Sequence, residues 1–306
     1  MSALWSPFSK PWVIAHRGAS GLLPEHTLPG YALAIEQGAD VIEPDLVASA
    51  DGMLFARHDL GLARSTDIAS RSEFASRLRA GPDGLQDWWV NDFSAIELSL
   101  LRAVQPWPNR PKHRESVFAI PSFSAILDLL MMERRRRQRP LLVYPELKHP
   151  EFFLEHGIDL VSALERELKL HGLTGPNAPV IVQCFDLATL LRVREHCGVR
   201  VVLLSESLPT LLAGVDGYGI AKSELLGHPH GTEFIAAAHA GGRMVHAWTF
   251  RDDQAPAGID PADECAAAFA GGCDGLFCDF PATGVRARAF SPGSLRAARA
   301  DVWGNP

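Results

Sequence analysis

The chain has 306 residues, with Lys+Arg 29 against Asp+Glu 36, a formal charge of −7 and 47% hydrophobic residues. That length admits one large domain or two ordinary ones, and 21% charged residues with a mean hydropathy of +0.02 exclude a disordered chain, a coiled coil or a collagen-like fibre. The acidic balance speaks against nucleic acid as a partner, because sequence-independent binding to phosphate backbones needs an excess of positive charge.

Along the chain, short apolar runs alternate with longer amphipathic stretches, the pattern of repeated strand-then-helix units. Strands are expected at Trp12–Ala15, Asp40–Val47, Leu141–Glu146, Pro179–Gln183, Arg200–Leu204, Asp216–Ile220, Arg243–Trp248 and Cys273–Cys278. Helices are expected between most of them. Examples are Thr27–Gln37, which opens at a Thr cap, and His156–His171, where Leu160, Leu164 and Leu168 recur at helical spacing. Eight strands in this order predict an α/β fold, a TIM (β/α)8 barrel spanning residues 1–306 as one domain. The stretch from about Ser70 to Val117 breaks the rhythm with DWWVNDF and PWPNRPKHRES, rich in Pro, Trp and turn formers, and reads as an insertion between early strands. Trp88, Trp89 and Trp107 are expected to anchor it, with the apolar wall of a lid as the alternative. The run Arg134–Arg137 reads as the solvated, dipole-complementing end of a helix.

No window reaches the ~20 apolar residues that a membrane span needs. The opening MSALWSPFSKPW shows neither a basic n-region nor an apolar h-region, so the chain as written is expected in the cytoplasm. Five cysteines without a Cys-x-x-Cys pair indicate neither a disulfide framework nor a zinc ribbon, and are expected to be reduced, mostly buried thiols.

In a parallel barrel, chemistry collects where strands end. Here the runs end in His16-Arg17-Gly18, Glu43 and Asp45, Glu146 and Lys148, Gln183, Trp248 and Asp279. Because strand side chains alternate faces, Glu43 and Asp45 point the same way, as do Glu146 and Lys148. Adjacent carboxylates repel unless something positive lies between them. A divalent cation held by Glu43, Asp45 and Glu146 is one solution, and oxygen-only ligands favour Mg²⁺ or Ca²⁺ over zinc. A structural ion network with Arg17 and Lys148 is the other. Of 12 histidines, His16 and His58 follow short apolar runs beside charged neighbours, in HRG and RHD. One neutral and one protonated imidazole on opposite sides of a phosphorus centre can take and deliver a proton in one displacement. Arg17 suits a phosphate oxygen. Gln183 and Trp248 are candidates to orient or wall a ligand, and Asp279 is expected to cap the turn into Phe280-Pro281.

The stretch VIAHRGASGLLPEHTLPGYALAIEQGADVIEPDLVASADGMLFARHD resembles the signature of the glycerophosphodiester phosphodiesterases, with HRG, PE-x-T, GAD-x-IE-x-D, DG and HD in the family's order and spacing. YPELK, QCFD, AWTF and GCDGLFCDFP resemble its later motifs, so the resemblance covers nearly the whole chain. PEHTLP, the lengthy segment before YPELK, and YPELKHPEFF are similar to the larger bacterial, periplasmic-type branch. That resemblance implies calcium, and export if the native start is missing from the sequence given. Glu25 and His26 fall in the PE-x-T turn. Glu25 is expected as a structural residue or partner of Arg17, with assistance to the metal as the alternative, and His26 as a branch marker near the pocket, either hydrogen-bonded within its loop or touching substrate. The resemblance further implies hydrolysis of a small glycerophosphodiester to sn-glycerol 3-phosphate and an alcohol. His16 and His58 would exchange protons, Arg17 and Lys148 would face the phosphoryl group, and a cyclic phosphate would form in between. A lysophospholipase D or phospholipase C-like enzyme on the same barrel would carry the same set, and a non-catalytic phosphoester-binding barrel is the remote alternative. The resemblance carries no oligomeric state.

Overall fold

The computed structural model describes residues 10–81, 84–112, 114 and 116–289. Residues 1–9, on which the expectation about a leader rests, lie outside the described residues.

All eight expected strands form, and they pair side by side and parallel as the staves of a barrel. The first stave, Trp12–His16, pairs with Val41–Glu43 on one side and with the last, Gly275–Cys278, on the other. Prolines interrupt two staves without redirecting them. The second runs as Val41–Glu43 and Asp45–Ala48 around Pro44, and the third as Leu142–Val143 and Glu146–Leu147 around Pro145. A proline donates no N–H to a ladder, yet Pro44 and Pro145 still accept from Glu146 N and Gln183 N at 2.9 Å. The ring continues through Ile181–Cys184, Arg200–Ser205, Gly217–Ala221 and Met244–Phe250, and so closes.

Period-two alternation divides each stave between two cores. Val13, Ile42, Val182, Val201 and Leu276 face the surrounding helices in the main apolar cluster. Trp12, Ile14, Val41, Leu142, Tyr144, Ile181, Val202, Met244 and Phe277 fill the barrel itself. One or two residues further along the inward rows, the apolar side chains give way to His16, Glu43, Asp45, Glu146 and Gln183. The site is therefore the top layer of the barrel interior, standing on a packed floor.

The helix expected at Thr27–Gln37 spans Leu28–Glu36, with the Thr27 hydroxyl accepting from Gly30 N at 3.2 Å. The one expected at His156–His171 begins later. Pro150–Glu155 is a separate helix ending before Gly157, whose φ of +77° breaks the run, and Leu160–Leu170 starts at the Asp159 cap. Among the described residues, no helix follows the fifth stave. Between Ala48 and the helix Phe123–Arg137 the chain forms a hairpin strand Leu54–Ala56, several 3₁₀ turns, a two-stranded ribbon and the helix Ala95–Leu100. Trp88 and Trp89 donate to Phe74 O and Arg79 O within this segment. Arg136 and Arg137 pair with Glu133 at the end of Phe123–Arg137. All five cysteines are buried thiols that take part in no disulfide among the described residues. No helix among the described residues is long and apolar enough to cross a membrane.

Candidate active site

Strand register assembles the centre. His16 lies opposite Glu43, Asp45 opposite Glu146, and Glu146 opposite Gln183. Four neighbouring staves thus deliver their polar tips at one level, where a cavity of about 370 Å³ opens at the carboxyl end of the barrel. His16, Arg17, Glu43, His58, Glu146, Lys148, Gln183 and Trp248 line it. Asp45, Glu25 and His26 stand behind them, buried.

Carboxylate oxygens of Glu43, Asp45 and Glu146 lie within 4.8 Å of one another. Each carboxylate is held by other contacts. Glu43 accepts from Gln183 Nε2 at 2.9 Å and Arg17 N at 3.0 Å, and Glu146 accepts from Lys148 Nζ at 2.8 Å. Asp45 Oδ2 is 3.1 Å from Arg17 Nε, while its buried Oδ1 has no hydrogen-bond partner. Burial and the neighbouring Asp45 charge push Glu43 well above the usual carboxylate range, and the same causes, opposed by Lys148, raise Glu146 to about 8. Burial pulls Asp45 upward too, but Arg17 and Lys148 outweigh it and hold this carboxyl well below its ordinary value. Four buried carboxylates, counting Glu25, thus face the two buried cations Arg17 and Lys148. An orphaned oxygen, an oxygen-only donor set and this charge deficit all fit a hard divalent cation.

The turn Arg17-Gly18 makes the approach possible. Arg17 adopts φ +60°, and Gly18, at φ +86°, lies so close to the start of the first helix that a Cβ there would meet Gly30 C at 2.8 Å. Arg17 Nη1 donates to Glu25 at 3.1 and 3.3 Å, placing Glu25 as the partner of this guanidinium. His26 bridges Tyr31 Oη at 2.9 Å and Asp45 Oδ2 at 3.0 Å.

The two singled-out histidines differ in setting. His16 Nδ1 is 2.6 Å from Asp279 Oδ1, and burial, reinforced by Arg17, lowers its pKa to about 4 despite Asp279. His58 is a third exposed and pairs through Nδ1 with Asp59 at 2.6 Å. The expectation that Asp279 caps the turn into Phe280-Pro281 is corrected here. Its carboxylate instead joins His16, Arg110 and Arg251, the arginines donating to Oδ2 at 2.6 and 3.0 Å. Sequence reasoning also passed over Arg64, Phe185, Glu206 and Arg251 in the cavity wall. For Trp107 the anchoring role was preferred to a place in the pocket wall, whereas its ring lines the cavity with Arg64 and Arg251 against it at 5.6 and 5.3 Å. The polar end of the eighth stave was a signal for Asp279, but no local pattern ties it to an arginine 169 residues away.

Residues 16–283 match the family model of the glycerophosphoryl diester phosphodiesterase family. A glycerophosphodiester phosphodiesterase of Arabidopsis thaliana, GDPD6, is 27% identical over 285 residues, covering 80% of this chain and 76% of that protein. A Haemophilus influenzae glycerophosphodiester phosphodiesterase is 33% identical over 195 residues, covering 60% of this chain and 52% of its relative, so the match spans about half of that protein. A solved Oleispira antarctica phosphodiesterase, in complex with the product sn-glycerol-3-phosphate, superposes with a TM-score of 0.70 at 22% identity, covering 91% of this chain and 96% of that one, and shows the shared barrel.

Proposed function

The chain belongs to the glycerophosphoryl diester phosphodiesterase family, and from that premise we propose that it hydrolyses glycerophosphodiesters to sn-glycerol 3-phosphate and an alcohol. The observation that carries the reading is the convergence of His16, His58, Arg17 and a three-carboxylate cluster on one cavity. Glu43, Asp45 and Glu146 would hold a divalent cation, with Ca²⁺ favoured over Mg²⁺, which when bound neutralises charge on phosphoryl oxygens.

The remaining roles fall to this chain's own side chains. The glycerol 2-hydroxyl attacks phosphorus and gives its proton to one histidine while the other protonates the departing alcohol oxygen. Water then opens the cyclic phosphate with the proton transfers reversed. Burial keeps His16 neutral at pH 7, which suits it to accept the first proton once the negative phosphodiester has entered and raised its basicity. His58, at the open side of the cavity, is then the donor. Arg17, fixed by Glu25, and Lys148 meet the phosphoryl oxygens, and electrostatic stabilisation of this kind is commonly the largest contribution to such catalysis. Gln183 holds Glu43, and Trp248, edge-on to Phe185 at 6.1 Å, forms part of the wall.

Phe185 is 47% exposed at the rim, an observation that favours a second reading in which the glycerol that keeps the phosphate carries an acyl chain. Release of sn-glycerol 3-phosphate from glycerophosphocholine and glycerophosphoethanolamine, with Ca²⁺, Mg²⁺ or EDTA and a His16→Ala control, tests the first reading. Metal-dependent turnover lost in the variant is the expected result. Turnover of lysophosphatidylcholine alone would move the assignment to a lysophospholipase D, and no turnover of any diester would remove the enzymatic reading.

A further inference from the structure

Arg110 enters the site from outside the barrel. It lies in the segment between the second and third staves, yet its side chain is only 1% exposed and every nitrogen of the guanidinium is engaged. Nη2 donates to Asp279 Oδ2 at 2.6 Å, Nε and Nη2 grip the two oxygens of Asp253 at 2.9 and 3.1 Å, and Nη1 donates to Ser20 O at 3.3 Å. Its face lies 4.8 Å from the ring of Trp107 and 5.6 Å from that of Phe280. Gln105, five residues earlier, donates to Ser20 O and Leu23 O, fastening the same segment to the loop that follows His16.

We propose that Arg110 is a positioning residue for His16, acting through Asp279. The inference rests on the reading that His16 transfers a proton. Asp279 offers one oxygen to His16 and the other to the arginines, so the plane of its carboxylate sets the plane of the imidazole. Arg251 reaches that second oxygen through Nε, whereas Arg110 spans Asp253, Asp279 and Ser20 at once, and a planar fork with several donors fixes direction where a point charge does not. With Nδ1 occupied by Asp279, Nε2 is the nitrogen left for substrate. Because Trp107 both lines the cavity and stacks on Arg110, the wall contributed by the segment and the orientation of the histidine are one mechanical unit.

Steady-state kinetics of Arg110→Ala and Arg110→Lys, with and without added guanidinium ion, beside Asp279→Asn and the double variant, test this. The expected result is a fall in kcat of roughly 10- to 100-fold with a much smaller change in KM, since small misplacements of a reacting group cost that much. Guanidinium should restore part of the activity of Arg110→Ala but none to His16→Ala, lysine should not substitute, and the double variant should lose no more than Asp279→Asn alone. If the alanine variant does not fold, Arg110→Gln takes its place. Wild-type kcat in a folded Arg110 variant overturns the proposal, as does a loss that guanidinium does not rescue and that adds to Asp279→Asn. The ¹⁵N ring spectrum of His16 gives a readout independent of turnover. A tautomer or line shape altered in the Arg110 variant supports positioning even if the wild type turns over no glycerophosphodiester, and an unchanged spectrum overturns it.

Discussion

His26 Nε2 lies 3.0 Å from Asp45 Oδ2, and the buried Oδ1 of the same carboxylate has no hydrogen-bond partner. With Tyr31 holding the far side of the imidazole, this bond fixes which oxygen Asp45 turns toward the protein and which toward Glu43 and Glu146. His26→Ala should therefore weaken cation binding about 10- to 100-fold, the usual cost of losing a hydrogen bond that orients a ligand. His26→Asn, which retains a donor, should lose less. Calcium titration by calorimetry measures both, and equal affinities in wild type and the alanine variant would exclude this role.

The excess of buried carboxylates over buried cations makes a second prediction, for cation removal. Transfer from EDTA into Ca²⁺ or Mg²⁺ should raise the melting temperature, because a ligand bound only to the folded state at 100 times its Kd adds about 2.7 kcal/mol. Glu146→Gln should shrink the response and raise the stability of the metal-free protein, since it relieves repulsion from Asp45. Identical melting curves in EDTA and in either ion would count against the cation reading and for an ion network closed by Arg17 and Lys148.

Much of the barrel was readable because each stave is short, apolar and alternating, and every expected strand formed within a few residues. The helix boundary at Leu160 was missed because Leu160, Leu164 and Leu168 give the periodicity without showing that Gly157 interrupts it. The carboxylates were found because register preserves what alternation predicts within a stave, placing Asp45 opposite Glu146. Asp279 was misjudged for the opposite reason. Its partners His16, Arg110 and Arg251 come from three separate parts of the chain, and nothing local shows that a carboxylate ending a strand will meet a histidine ending another.

His58 allows a cleaner test of proton transfer than His16. It is a third exposed, and its ring is bonded to Asp59, which in turn takes Arg64 at 3.2 Å. Removing it should leave the melting temperature within a degree or two of wild type while kcat falls about 10²- to 10⁴-fold, the usual contribution of a positioned acid or base. A His58→Ala variant with near-normal kcat on glycerophosphocholine would remove this histidine from the mechanism.

His246 ties stability to pH in the barrel floor below the site. It is fully buried, with Nδ1 3.1 Å from Tyr144 Oη and the ring 5.0 Å from that of Trp12, and burial lowers its pKa to about 4. Unfolded, the same imidazole titrates near 6.5. Above pH 6.5 both states hold it neutral and it adds no pH dependence. As pH falls below 6.5 the unfolded chain gains a proton that the folded one refuses, so stability drops until the folded pKa is passed. Between pH 7 and 5 this amounts to about 2 kcal/mol. His16, lowered similarly, adds to the slope, Glu43 and Glu146, held above the usual carboxylate range in the metal-free protein, oppose it, and carboxylates with depressed values contribute mainly at lower pH. His246→Gln, which keeps a hydrogen-bonding group beside Tyr144, should remove this residue's own share of the dependence, about 2 kcal/mol between pH 7 and 5, whatever it does to absolute stability. Urea unfolding of both proteins at pH 7, 6 and 5 reads the difference, and parallel curves would mean that the buried ring keeps its proton on folding.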